Sequence, residues 1–283
     1  MTIPSTDMRA SFLIPVYNTE LAILRMCINS ALKAAHSEHE VVVVDDASDQ
    51  AETQEFLSRC DSAGLENLKL LRNSENSGIS YSLNKAAKNA TGTLYAPVDH
   101  DDLVVASGFH QMIRYQTYYG LSWSYSDEYQ INYKGIVVSR MHKPAYSLQL
   151  LRSVMYINHL QLIPSELFES VGGYREDFEG SQDHDLALRM SEKVTPKHVS
   201  DIAYLWRRGN TTYSVADGQI QDFSIDSAQR ALQDHFARLG REANITPYYL
   251  RPRPELPEQP TGTFISQIRP QLIPKLSVII PCK

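Results

Sequence analysis

Val41-Val42-Val43-Val44-Asp45-Asp46-Ala47-Ser48 is an unbroken β-branched run closed by two carboxylates and a turn. Four consecutive valines leave no polar face, the pattern of a strand covered on both sides. Upstream, Glu20 to Ala35 places Leu21, Leu24, Ile28, Ala31 and Leu32 at helical spacing. Before that helix, Ser11 to Val16 is a short apolar run ending at Tyr17-Asn18-Thr19. Downstream, a helical stretch to about Cys60 precedes a strand at Leu68 to Leu71. A helix at Ile79 to Ala90 and a strand at Thr93 to Val98 follow. This alternation predicts an α/β fold: an open, mainly parallel sheet flanked by helices. Such sheets bind ligands beyond the carboxyl ends of their strands. Three of those ends carry polar clusters: Tyr17-Asn18, Asp45-Asp46, and Asp99-His100-Asp101-Asp102.

The middle of the chain is less regular. Strands are expected at Ser122 to Tyr129, Gly135 to Arg140, Leu160 to Ile163 and Val199 to Trp206. Helices are expected at Ser147 to Ser153, Gln182 to Lys193 and Asp222 to Leu239. Residues 1–243 read as one domain. Seven prolines between 247 and 274 make a compact helix or a central strand improbable, so 244–275 reads as a linker or surface strap. Leu276-Ser277-Val278-Ile279-Ile280-Pro281 then echoes Ser11-Phe12-Leu13-Ile14-Pro15. Residues 276–283 therefore read as the first strand of a second copy of the domain.

At 283 residues and 42% hydrophobic content, the chain supports one large core. No run approaches the roughly 18 apolar residues of a membrane span. Met1 to Ala10 lacks the apolar region of a secretory signal. Cys27, Cys60 and Cys282 fall in no metal-ligand spacing and fit a reducing, cytoplasmic compartment. A net charge of −6 with no basic block disfavours nucleic-acid binding.

Asp99, Asp101 and Asp102 put three carboxylates within four residues, which repel unless a cation or donors neutralise them. Hard divalent ions such as Mg²⁺ and Mn²⁺ suit these ligands, and a solvated turn or helix cap fits equally. Asp45 and Asp46 can accept from a base N–H or a ribose hydroxyl, or serve a local cap. Asp183 and Asp185, two apart at a helix start, cannot share one helical face. Spacing alone favours capping for them. Arg207 and Arg208 end a strand with donor forks suited to a pyrophosphate, or with plain surface charge. His36, His39, His110, His142, His159 and His198 are scattered, and most read as surface or structural.

In this order the pieces resemble family 2 glycosyltransferases, the inverting enzymes of the GT-A fold that build bacterial polysaccharides. The resemblance runs from about Ser11 to Thr212. It implies a nucleotide-sugar site from Pro15, Tyr17, Asn18, Glu20, Asp45, Asp46, Asn76, Gly78, Asn84, Asp99, Arg207 and Arg208. It implies a Mn²⁺ or Mg²⁺ ion on Asp101 with Asp99. Gly172-Gly173-Tyr174-Arg175 with Phe178-Glu179-Gly180-Ser181-Gln182-Asp183-His184-Asp185 is the strongest block, and it implies Asp183 as general base. Tyr125-Ser126-Asp127-Glu128, Lys143-Pro144 and Tyr156-Ile157-Asn158-His159-Leu160 are similar to a rhamnosyltransferase-like, O-antigen subgroup, often with tandem domains. Asp127, Glu128 and Gln182 are the residues indicated for acceptor or sugar.

Two departures stand out. Tyr129 replaces a further Asp, and Trp206-Arg207-Arg208 runs into Gly209 without an expected His. The implied activity is hexosyl or deoxyhexosyl transfer from a nucleotide-sugar to a saccharide or lipid-linked saccharide. The implied location is the cytoplasm, with peripheral contact at the inner face of the membrane. The alternative is a non-catalytic carbohydrate-binding or scaffolding domain of a two-domain transferase. A nucleotidylyltransferase is disfavoured, because Pro15 to Glu20 offers no Gly-rich basic loop for a triphosphate.

Overall fold

Alternation along buried strands sorts this core into two layers. The computed structural model describes residues 8–120, 122–208, 215–216, 219–220, 222–250 and 259–268. Strand β1 (Ala10–Val16) and strand β2 (Glu40–Asp45) are buried at every residue. Phe12, Ile14, Val41 and Val43 pack on one face, against helices α1 (Leu21–Ala35), α2 (Ala51–Ser62) and α4 (Ala106–Tyr119). Leu13, Val42 and Val44 pack on the other, with α3 (Ile79–Asn89), α6 (Ser165–Ser170), α7 (Gln182–Ser191) and α8 (Asp222–Arg238). Burying such a side chain fully contributes roughly 1.5–3 kcal/mol, so this double layer dominates the stability.

The main sheet has nine strands. Strands β3 (Leu68–Arg72), β2, β1 and β4 (Leu94–Pro97) lie side by side and parallel. The sheet continues through β8 (Gln161–Pro164), β6 (Ser124–Ile131) and β9 (Lys197–Arg207) to β5 (Leu103–Val104). There β4–β8, β8–β6 and β9–β5 are antiparallel, whereas β6–β9 is parallel. Strand β7 (Val137–Met141) forms a hairpin with β6, and α5 (Leu148–Leu151) follows it. The two-residue strands β10 (Val215–Ala216) and β11 (Gln219–Ile220) pair with each other. The expected α/β fold is present, with element ends within a few residues of the sequence reading. The sequence reading passed over β5 and α6.

The Pro-rich stretch differs from expectation. Strands β12 (Ala243–Leu250) and β13 (Gln259–Ile268) pair as an antiparallel hairpin separate from the main sheet. Ile245 and Phe264 sink into the core beside α8, and the Phe264 N–H donates to the Ser153 carbonyl at 2.7 Å. A two-stranded sheet consists of edges only, and edges tolerate proline, so Pro247 sits inside β12. The echo at Leu276 to Pro281 and the loop from Gly209 to Thr212 lie outside the described residues. Among the described residues no helix is long and apolar enough to cross a membrane.

Candidate active site

The carboxyl ends of β1, β2 and β4 meet in a cavity of about 390 Å³. Pro15, Tyr17, Asn18 and Glu20 line it from the β1 loop; Asp46, Asn76 and Gly78 face them, with His100 and Asp101 at one side. Hydrogen bonds shape its walls. Asn18, at φ 47°, accepts from the Asp49 N–H at 2.9 Å, and its own N–H donates to Ser48 Oγ. Asp46 accepts from Asn73 Nδ2 at 2.6 Å, Ser77 N at 2.8 Å and Gly78 N at 2.8 Å. Gly78, at φ +90°, is where the β3–α3 loop turns back to let Asp46 reach it.

Two expected nucleotide contacts lie elsewhere. Asp45 is buried outside the cavity lining, accepting from Ser48 N and pairing with Arg72 Nη1 at 2.7 Å. Asn84 exchanges two hydrogen bonds with the Tyr174 backbone, at 2.8 and 2.9 Å. It thereby fixes the segment that leads to Asp183.

The acidic turn follows β4. Asp99 is half-exposed, and its N–H donates to the Tyr204 hydroxyl at 3.0 Å. Asp102 is fully buried; its Oδ1 accepts from the Arg207 N–H, and its Oδ2 has no hydrogen-bond partner. Burial raises the Asp102 carboxyl well above the usual range, and Asp101 and Asp99 add to the effect. Burial likewise raises Asp101, against the opposing pull of His100.

His159, which the sequence reading leaves among scattered histidines, belongs to this site. Its Nε2 lies 3.2 Å from Asp99 Oδ2, and its Nδ1 lies 3.5 Å from Glu128 Oε2. The ring stacks on Tyr204 with centroids 4.7 Å apart and planes 10° apart. Burial opposes its charged form, but contact with Asp99 and Glu128 outweighs burial and raises its pKa. Candidate metal-ligating atoms of Asp99, Asp102 and His159 all lie within 4.8 Å of one another. Asp101 is outside that trio, on the cavity side. The only sequence signal for His159 was its place in the Tyr156 to Leu160 segment.

Arg207 is largely engaged by backbone, though its Nη2 is buried without a partner. It is 2% exposed; Nε donates to the Asp101 carbonyl at 2.7 Å and Nη1 to the Asn132 and Tyr133 carbonyls. It ties the acidic turn to the β6–β7 turn. Arg208 donates to Gln130 Oε1 at 3.3 Å and lies over Trp206.

Asp127 is enclosed, accepting from Lys143 N and pairing with His142 Nδ1 at 2.9 Å and His198 Nε2 at 2.6 Å. Glu128 pairs with Lys143 Nζ at 2.9 Å. Both carboxylates therefore have protein partners, where the sequence pointed to sugar contacts.

Asp183 and Asp185, in the first turn of α7, diverge. Asp185 is fully buried between Arg189 and Arg175. Asp183 Oδ1 accepts from the His184 N–H at 2.7 Å. Burial raises its pKa, with His159 lowering it and Asp99 raising it by lesser amounts. Gln182 Oε1 beside it is buried without a partner.

Comparison with known proteins follows the same geometry. The chain is 28% identical over 277 residues to the O-antigen biosynthesis protein RfbC of Myxococcus xanthus, covering 96% of this chain and 20% of that protein. The chain spans only about a fifth to a quarter of the length of the curated relatives that match most of it. S. aureus TarS, solved with UDP-GlcNAc, superposes with a TM-score of 0.60 at 20% identity over 81% of this chain and 73% of that one. GalNAc-T7, solved with UDP, GalNAc and Mn²⁺, gives 0.64 at 14% identity over 81% of this chain and 48% of that one. These likenesses establish the fold. The profile described as Glycosyl transferase family 2 matches residues 11–156, and this chain belongs to that family.

Proposed function

We propose that this chain transfers a sugar from a nucleoside diphosphate sugar to a hydroxyl of a saccharide or lipid-linked saccharide, with inversion. The supporting observation is the opposition of two groups across one cleft. His100 and Asp101 of the acidic turn line the β1–β2–β4 cavity, and Asp183, at the start of α7, feels the charges of His159 and Asp99 beside that turn. The nucleotide then lies against Tyr17, Asn18, Asn76 and Gly78, and the diphosphate approaches Asp99 to Asp102. That TarS is solved with UDP-GlcNAc, and GalNAc-T7 with UDP and Mn²⁺, supports a nucleotide-sugar donor and a divalent cation in this reading.

The acidic turn suits a divalent cation. Asp99 and Asp101 are the ligands the sequence indicates, and buried Asp102 Oδ2, lacking a partner, adds a third carboxylate oxygen. A bound Mn²⁺ or Mg²⁺ there offsets the negative charge that builds on the departing diphosphate. The acceptor hydroxyl oxygen attacks the anomeric carbon from the face opposite the diphosphate. Its proton passes to Asp183, and the bond from carbon to diphosphate oxygen breaks. A raised Asp183 pKa makes its carboxylate a stronger base than a solvated aspartate. Gln182 Oε1, buried and unpartnered, is placed to accept from a sugar hydroxyl. The acceptor is met on the cytoplasmic side of a membrane in this reading.

The test is a panel of UDP-, GDP- and dTDP-sugars with Mn²⁺, read as release of nucleoside diphosphate. Asp183→Asn is expected to cut transfer about 10²- to 10⁴-fold while leaving nucleoside diphosphate affinity intact. Normal transfer by that variant removes Asp183 from the role. Retained anomeric configuration in the product, read by NMR, removes the single displacement.

A further inference from the structure

We infer that His159 supplies a nitrogen ligand to the divalent cation at the acidic turn, and that Glu128 and Lys143 are positioning residues that hold its ring there. This rests on the cation reading above and adds the residues that complete and support its site.

Three observations point the same way. First, candidate atoms of Asp99, Asp102 and His159 lie within 4.8 Å of one another. Ligand distances of about 2.1 Å span about 4.2 Å between opposite ligands, so closure needs only a side-chain shift of a few tenths of an ångström. Second, Asp102 is fully buried and its Oδ2 has no protein donor, a costly state for a carboxylate oxygen unless something positive meets it. Third, the imidazole is held from every side. Its face lies on Tyr204, whose hydroxyl accepts the Asp99 N–H. Its Nε2 lies 3.2 Å from Asp99 Oδ2, and its Nδ1, buried and without a hydrogen-bond partner, lies 3.5 Å from Glu128 Oε2. A metal-binding histidine usually gives its second ring N–H to a carboxylate, which fixes the ring and its tautomer.

Lys143 completes the support. Its ammonium pairs with Glu128 at 2.9 Å, and it also donates to the His159 carbonyl. The two side chains are 5% and 3% exposed. A buried ion pair adds little net stability, because desolvating both charges offsets their attraction. It does fix geometry, here tying β6, the loop after β7 and the loop before β8 at one point. That gives Glu128 and Lys143, which contact neither donor nor acceptor in the transfer reading, a role in holding His159.

The experiment is Mn²⁺ binding to the intact chain, by EPR titration of free Mn²⁺ and by pulsed EPR for a directly bonded ¹⁴N. The wild type is expected to bind Mn²⁺ with an imidazole nitrogen coupling. His159→Asn is expected to lose that coupling and bind about 10- to 100-fold more weakly. Glu128→Gln is expected to lower the melting temperature, because the Lys143 ammonium loses its counter-charge, and, at a temperature where circular dichroism shows it folded, to bind Mn²⁺ about tenfold more weakly, a change a purely structural pair would not produce. Lys143→Arg restores the pair and is expected to keep wild-type affinity. Mn²⁺ bound by the wild type without nitrogen coupling overturns the role of His159 and leaves the cation reading standing. No Mn²⁺ binding by the wild type, with or without UDP, overturns the cation reading itself. Wild-type affinity in Glu128→Gln overturns the positioning role.

Discussion

Asp183 and Asp185 are two residues apart and live in opposite electrostatic worlds. Asp183 is half-buried and has no ion-pair partner among the described residues, and the loss of solvent around its carboxyl raises its folded pKa above the ordinary carboxylate value of about 3.9. As a base it must be ionised, so kcat should fall as pH drops through that raised pKa. A pH–rate profile should place the acid limb above pH 4; a limb at or below that value sinks the assignment. At Asp185 burial also raises the pKa, but Arg175 and Arg189 outweigh it and the net shift is downward. Its stabilisation is therefore fully present above pH 4 and is lost as pH falls through the lowered folded pKa. Asp185→Asn leaves two guanidiniums without their shared counter-charge and should cost about 3–5 kcal/mol at pH 7. Urea unfolding at pH 7 and pH 3 checks both parts, with the gap between variant and wild type narrowing at pH 3.

Among elements, the approach of α4 to β9 governs the geometry behind the acidic turn. A Cβ at Gly108 would stand 1.9 Å from the Ile202 carbonyl oxygen and 2.7 Å from Ala203 Cα. Alanine is the better helix former by about 1 kcal/mol. The clash wins, because backbone on β9 must move to relieve it. Gly108→Ala should therefore lower stability by about 1–3 kcal/mol, and a higher melting temperature would contradict this packing. The same comparison of local preference with tertiary contact explains the hairpin of β12 and β13. Its prolines argue against a central strand, and the chain pairs there as an edge-only ribbon pinned by Ile245 and Phe264.

Across the whole molecule, a parallel half that lines the cavity joins a mixed half that carries Glu128, His159 and Arg207. An acidic chain of net charge −6 gains from a cation when it binds a diphosphate. UDP and Mn²⁺ together, at about 100 times their dissociation constants, should stabilise the fold by roughly 2.7 kcal/mol. The resulting rise of several degrees in melting temperature should vanish on adding a chelator. An unchanged melting temperature in both states counts against a coupled site.

Much of this was legible from the chain. Valine runs and helical spacing determined the α/β order, because local pattern and burial agree throughout the first hundred residues. The polar strand ends marked the cavity mouth for the same reason: a parallel sheet puts its carboxyl ends together. Residue types at those ends did not determine which side chains remain free. Asp45 and Arg207 read as ligand contacts; tertiary contacts pair Asp45 with Arg72 and tie Arg207 Nε and Nη1 to backbone carbonyls, leaving its Nη2 without a partner. His159 read as incidental, yet the fold sets it between Asp99 and Glu128. Periodicity reports which face of an element is buried, so sequence alone determined the layers and the edge where the cavity opens. A side chain's partners come from segments a hundred residues away, so only the tertiary structure decided which charges are already neutralised and which remain for chemistry.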